Sequence, residues 1–131
     1  MVPTLAVLLL VLSHFDPVGW YYATRYEIRA QSAAWPDGRH FAGLAFWNPN
    51  YMVVDLPWIW ANEGLSANDK VIFAMCVLPH EAEHIRSRSA EELNPLRASY
   101  VCIDRAGGSQ SLKDGVYEAM RSLTQRDPEA D

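Results

Sequence analysis

An unbroken apolar run at residues 71–78, VIFAMCVL, places the strictest limit on how this 131-residue chain can fold. A helix-start signal precedes the run, because Ser66 can cap a helix and Asp69 stands three residues later, where the usual capping box has Glu. A helix that is apolar on every side has to lie inside a protein. The sequence therefore predicts a central buried helix, with the rest of the chain packed around it.

The residues before this helix have the pattern of a small β-sheet. Alternating or apolar segments predict strands at 24–33, 40–47 and 51–58, the last of them ended by Pro57. Turn sequences, WPDGR and NPN, separate the three segments. We therefore expect a small antiparallel or mixed sheet, with antiparallel pairing favoured.

Two more helices are expected after the buried one. The first is predicted at 96–106, where Gly107 ends it, and the second at 112–123. Strands followed by helices predict an α+β fold. The length fits one domain over residues 1–131.

Composition excludes several classes of function. The net charge is −5 and no basic run occurs, so we expect no nucleic-acid partner. Cys76 and Cys102 are too few for a disulfide framework or a four-thiolate metal site. We expect them to be buried core thiols. A Cys76–Cys102 disulfide is the alternative if the chain is exported, although distances counted along the two helices do not obviously bring the cysteines together.

The N-terminal segment, residues 1–22, is apolar and open to more than one interpretation. Its run LAVLLLVL, residues 5–12, is shorter than the about 20 residues that span a bilayer. No Lys or Arg precedes the run, and no early cleavage site follows it. We expect a buried helix or strand, with a membrane anchor or an export signal as the alternative. Cytoplasmic, membrane-associated and exported locations all stay open.

Two histidines at the end of the predicted buried helix have the spacing of a metal site. Residues four apart project from one face of a helix, so His80 and His84 can both reach an ion about 2.1 Å away. Glu81 is turned about 100° from His80, from where it can reach a water on the ion and take its proton. The pattern predicts His80 and His84 as metal ligands and Glu81 as the catalytic residue.

The order LS, a short gap, an apolar helix and then HEAEH resembles the active-site helix of the zincin metallopeptidases. The resemblance covers about residues 50–120. It implies a zincin-like fold, a Zn²⁺ cofactor, and hydrolysis of a peptide or protein substrate by a glutamate-activated, zinc-bound water. In that fold an edge strand pairs with the extended substrate, and YMVVDLPWIW at 51–60 is similar to that strand.

Catalytic zinc usually has three protein ligands, so a third ligand is expected. The metzincin pattern is excluded, because it would need Gly and His where this chain has Ser87 and Ala90. The segment AEELNPLRASYVCIDRAGG resembles the E-x-x-x-D/N-x-x-A pattern of two gluzincin groups, the heat-shock-type and the phage-repressor-cleaving peptidases. Matching Ala98 to the final alanine of that pattern implies Glu91 as the third ligand, with Glu92 as the alternative.

Pro95 departs from the gluzincin pattern, because it stands where an acidic or amide residue is expected. A hydrogen bond that would orient a ligand is then expected to be missing. Two starts for the next helix stay open, with Ser89 as the cap and Glu92 third, or Asn94 as the cap and Pro95 first. Glu91 and Glu92 could also be a solvated acidic helix start, which the helix dipole favours.

Three other interpretations compete with a zinc peptidase. The histidines could be surface residues on an exposed helix end, in contact with charged neighbours. The chain could be a catalytically degenerate zincin-like module that binds or regulates a partner, which its short length and Pro95 favour. It could also hydrolyse a non-peptide amide at the same site.

Overall fold

The fold, described for residues 2–124 by a computed structural model, is α+β, with a small three-stranded mixed sheet and several helices. The predicted α+β class is therefore confirmed at this level. The elements are α1 (Leu5–Phe15), α2 (Pro17–Ala23), β1 (Glu27–Ala30), β2 (Gly43–Phe46), β3 (Tyr51–Val54), α3 (Leu56–Trp60), α4 (Ala67–Ser87), α5 (Leu93–Arg105) and α6 (Gln110–Thr124).

β3 lies in the middle of the sheet, in the order β1–β3–β2. β1 runs parallel to β3, whereas β2 runs antiparallel to it, with Gly43 opposite Val54. The favoured antiparallel pairing is correct for β2 and wrong for β1. The turn WPDGR closes a single bridge between Ala34 and His40 instead of a β1–β2 hairpin. The chain therefore passes to the far side of β3 before β2 begins.

The third predicted strand is shorter than expected, and its second half is helical. Asp55 follows β3, and its carboxylate accepts a hydrogen bond from the backbone N–H of Trp58 at 3.1 Å, which caps α3. Pro57 fits the first turn of this helix, where backbone N–H groups have no helical partner. Residues 51–60 are therefore not an edge strand, because β3 is paired on both sides and α3 follows it.

α4 is the buried helix that the sequence predicts. Ser66 caps it by accepting a hydrogen bond from the backbone N–H of Asp69 at 3.1 Å, so the predicted start is confirmed. Within the apolar run 71–78, six residues are buried and the other two half-buried. The sheet, α2 and α5 pack against this helix. The Asp69 carboxylate also accepts a hydrogen bond from the backbone of Ser109, which fixes the start of α6.

The N-terminal apolar segment forms α1 and α2, which both pack against α4. The expected helix is present but only one face of it is buried, because Leu8 and Leu12 of α1 are fully buried whereas Leu10 is 71% exposed. Asp16 caps α2 and also pairs with Arg105 of α5 at 2.7 Å. Among residues 2–124, no helix is both long enough and apolar enough to span a bilayer.

A disulfide bond joins α4 to α5 between Cys76 and Cys102, whose Cα atoms are 5.6 Å apart. The expectation of two free core thiols is therefore wrong, although both residues are fully buried. α4 and α5 form an antiparallel helical hairpin over the short connection 88–92. Residues at similar distances from that connection face each other. Distances counted separately along each helix do not reveal this.

Candidate metal centre

His80 and His84 lie in the second half of α4, on the side that faces α5. Their ring centroids are 5.3 Å apart. His84 is 6% exposed, and the side chain of His80 is 18% exposed. The interpretation of two surface histidines on an exposed helix end is therefore wrong.

Glu92, the last residue before α5, places its carboxylate between the two imidazoles. One oxygen, Oε1, lies 2.7 Å from Nε2 of His84, and the other, Oε2, lies 3.2 Å from Nε2 of His80. The Glu92 side chain is 47% exposed, so it closes the solvent side of the cluster. The structure therefore brings Glu92, which the sequence offers as the alternative third ligand, to the histidines.

Glu91 does not reach the histidines. Its carboxylate accepts hydrogen bonds from the backbone N–H groups of Leu93 and Asn94, in the first turn of α5. The hydroxyl of Ser89 accepts a hydrogen bond from the Glu91 backbone at 3.0 Å. Neither predicted helix start is correct, because α5 begins at Leu93 and the Glu91 side chain satisfies its first N–H groups. The contacts of Glu91 are those of a helix cap.

Each imidazole is also held by its other nitrogen, Nδ1. Nδ1 of His84 lies 2.8 Å from the backbone carbonyl oxygen of Ser89, which can only accept a hydrogen bond. Nδ1 of His80 lies 3.5 Å from the hydroxyl of Ser99, which donates its own hydrogen to the carbonyl of Leu96 at 2.9 Å. Both Nδ1 atoms therefore act as donors. Nε2 is the nitrogen that each ring presents to Glu92 and to an ion.

Ser99 was not identified from the sequence. It stands seven residues after Glu92 in α5, which places the two residues on nearly the same face of the helix. That spacing is a usable signal only once Glu92 rather than Glu91 is considered as the ligand. Ser99 supplies the kind of orienting contact that Pro95 was expected to remove.

Glu81 lies beside the histidines, as predicted. Its carboxylate and the two imidazoles offer ligand atoms that all lie within 4.8 Å of one another. Oε1 of Glu81 is 3.8 Å from Nε2 of His80, and the residue is 6% exposed. Burial raises the pKa of Glu81, although the nearby positive charges of His80 and His84 lower it in part. A raised pKa suits a carboxyl group that takes a proton and returns it.

The edge strand β2 lies directly against this part of α4. A Cβ atom at Gly43 would stand 2.5 Å from Cγ1 of Val77, 2.9 Å from the carbonyl oxygen of Val53 and 3.2 Å from Cγ of Glu81. Only glycine lets the strand and the helix approach this closely. Gly43 is therefore a second residue of the site that the sequence did not reveal, since nothing marks it except the absence of a side chain.

The contacts of the Glu92 carboxylate with the two imidazoles shift the pKa values of Glu92 and His84. Hydrogen bonds from His80 and His84 lower the pKa of Glu92 to about 2. Burial lowers the pKa of His84, but its hydrogen bonds with Glu92 and the Ser89 carbonyl outweigh burial and raise the pKa to about 9. At neutral pH the contact between Glu92 and His84 is therefore an ion pair, in which Nε2–H of His84 donates a hydrogen bond to the Glu92 carboxylate.

The donor set fits a zinc ion in chemistry, and one of its two carboxylate contacts also fits in distance. Three ligand atoms at about 2.1 Å from a tetrahedral ion lie about 3.4 Å from one another. Oε2 of Glu92 lies 3.2 Å from Nε2 of His80, which is close to this value, whereas the other oxygen, Oε1, lies only 2.7 Å from Nε2 of His84. The half-exposed Glu92 side chain can move outward by that difference. A metal ion would replace the proton that His84 shares with Glu92.

A cleft of about 950 Å³ opens onto these side chains. Residues 41–47, which include β2, form one wall, and α4 and α5 form the other. Most other lining residues are apolar or aromatic, among them Phe46, Phe73, Val77 and Leu96. A cleft with an apolar lining and a few convergent polar groups is typical of a binding site.

Comparisons with protein families, with curated proteins and with solved structures give no match to this chain. The likeness to zincins therefore consists of the sequence pattern over about residues 50–120, with HEAEH as its central segment. A zincin fold stays a prediction, and the assignment of a function depends on the chemistry of the site.

Proposed function

We propose that this protein is a zinc-dependent metallopeptidase of the gluzincin type. His80, His84 and Glu92 bind the metal, and Glu81 is the catalytic base. One observation carries the proposal: the Glu92 carboxylate contacts Nε2 of both His80 and His84, and both imidazoles have a second contact through Nδ1. Metal-binding histidines usually have this second hydrogen bond, which turns Nε2 towards the ion. Glu92 replaces the predicted Glu91 because only its carboxylate reaches the histidines.

Glu81 moves the proton in this reaction. A zinc ion held by the three ligands would polarise a substrate carbonyl and acidify a water molecule. Glu81 takes a proton from the water as the water oxygen bonds to the carbonyl carbon. The C–N bond then breaks, and Glu81 returns the proton to the leaving amine. Its burial supports this role, because a raised pKa makes the returned proton available.

The proposed substrate is an extended peptide. β2 is an edge strand, and residues 43–46 line the cleft beside Glu81. A peptide can add to such an edge through backbone hydrogen bonds. The sequence suggests residues 51–60 as the edge strand that pairs with the substrate, and we propose that β2 has this role instead. The apolar lining favours bulky apolar side chains near the cleaved bond.

Two substitutions within the same helical turn test this proposal. Glu81→Gln keeps the shape of the side chain but cannot take a proton, so hydrolysis of a peptide library should fall at least about 100-fold. About one zinc per chain should remain bound. Glu83→Gln is the matched control, because the half-buried Glu83 pairs with Arg86 rather than with the histidines, and loss of its charge should leave hydrolysis unchanged. Hydrolysis that survives in Glu81→Gln contradicts the proposed mechanism.

A non-catalytic binding module is the second candidate function. The short distance between Glu92 and His84 is that of a direct ion pair, which can hold the helical hairpin without a metal. The cleft and the β2 edge would then bind a peptide without cleaving it. Zinc analysis of the wild-type protein after dialysis against Zn²⁺ separates the two candidates. About one zinc per chain favours the peptidase, and none favours the module.

A further inference from the structure

The disulfide bond lies one helical turn below the contact between His80 and Ser99. Cys76 precedes His80 by four residues in α4, and Cys102 follows Ser99 by three residues in α5. Residues three or four apart share one face of a helix. The disulfide and the His80–Ser99 contact are therefore successive links between the same two helix faces.

The contact above the disulfide is weak by itself. Nδ1 of His80 lies 3.5 Å from the Ser99 hydroxyl, at the outer limit of a hydrogen bond. A small separation of α5 from α4 would break this contact. The same movement would carry Glu92 away from the histidines, because Glu92 directly precedes α5. The covalent bond one turn below opposes that separation.

We propose that the Cys76–Cys102 disulfide positions the metal centre, so that metal affinity depends on the oxidation of these two cysteines. This inference rests on the proposed function, since it requires that His80, His84 and Glu92 bind a metal. Reduction of the disulfide takes two electrons and two protons from an external dithiol, which becomes a disulfide itself, and leaves two protein thiols. The hairpin can then open at its metal-binding end. Loss of a contact that orients a ligand histidine lowers metal affinity about 10- to 100-fold, and we expect a loss of that size.

Co²⁺ binding tests the inference, because the absorption spectrum of bound Co²⁺ reports its ligands without any need for catalysis. Affinity is measured for the oxidised wild-type protein, for wild-type protein refolded under reductant, and for the double variant Cys76→Ala/Cys102→Ala. The reduced protein keeps both sulfur atoms, so it separates loss of the bond from loss of side-chain volume. The reduced protein and the double variant should both bind Co²⁺ about 10- to 100-fold more weakly than the oxidised wild type, and both should keep their helical circular dichroism.

Leu12→Ala is the control for a general loss of stability. Leu12 is fully buried in α1, outside the helical hairpin, so its truncation weakens the core without opening the α4–α5 contact. Its Co²⁺ affinity should equal that of the oxidised wild type. An equal loss in this variant would show that affinity only follows overall stability, and would overturn the inference.

The other outcomes are also decisive. Equal Co²⁺ affinity in the oxidised and reduced proteins overturns the inference and leaves the proposed function intact. Absence of Co²⁺ binding in the oxidised wild type overturns the proposed function itself. Loss of helical signal in both the reduced protein and the double variant would assign the bond to the whole fold rather than to the metal centre, which also overturns the inference.

Ser99→Ala tests the route from the disulfide to the metal. In the oxidised protein this variant should lower Co²⁺ affinity, because His80 loses its orienting partner. In the reduced protein it should have little further effect, because the same contact is already lost. If disulfide reduction and Ser99→Ala each lower Co²⁺ affinity by their full amounts when combined, the disulfide does not act through Ser99.

Discussion

At the scale of single residues, Glu91 and Glu92 are adjacent and chemically identical, yet their carboxylates have different partners. Glu91 accepts hydrogen bonds from the backbone at the start of α5, and Glu92 lies between the histidines. The sequence could not separate them, because either acid fits the first turn of a helix. The capping contact of Glu91 fixes where α5 begins, and that start directs Glu92 towards α4.

Alanine substitutions at these two positions should affect different properties of the protein. Glu92→Ala removes a ligand, so zinc affinity, measured by competition with a chromogenic chelator, should fall at least about tenfold. Glu91→Ala should keep the affinity but lower the free energy of unfolding in urea by about 1 kcal/mol, the usual cost of a lost helix cap. The reverse pattern would return the ligand role to Glu91.

At the scale of elements, the contact between β2 and α4 brings the sheet edge to Glu81. Gly43→Ala would place a methyl group against Val77 and the Val53 carbonyl, so strand and helix must separate. We expect a loss of about 1–3 kcal/mol in stability and a lower kcat, because Glu81 is displaced. Gly115→Ala is the control, since its added methyl meets nothing within 4 Å and alanine favours the helix. An unchanged kcat in folded Gly43→Ala would remove β2 from the catalytic arrangement.

The sequence predicted the elements that depend on local signals. The cap at Ser66, the apolar run and the HEAEH spacing are all contained in α4, and each was located correctly. The parallel pairing of β1 and the Cys76–Cys102 bond depend on residues far apart in the chain, so neither could be derived from neighbouring residues. α3 is different, because Asp55 followed by Pro57 is a local helix-start signal that the strand-like YMVV run obscured.

At the scale of the whole molecule, α4 is held from several sides while one face stays open to the cleft. Asp69 ties its start to α6 through Ser109, and α1 and α2 pack along it. Glu92 contacts the histidines where α5 begins, and the disulfide joins α4 to α5 one turn below the contact between His80 and Ser99. The proposed metal ligands therefore come together only in the folded chain, since the histidines lie in α4 and Glu92 directly precedes α5.

An ion that binds only the folded protein must raise its stability. At free Zn²⁺ about 100 times Kd, we expect a gain of about 2.7 kcal/mol, which corresponds to a rise in Tm on the order of 10 °C for a domain of this size. Thermal unfolding followed by circular dichroism, with Zn²⁺ or with a chelator, measures the shift. Glu81→Gln should show the wild-type rise, because it keeps all three ligands, whereas His84→Ala should show almost none. A rise of the same size in His84→Ala would place the zinc outside this cluster, and no rise in the wild type would remove the metal from the proposal.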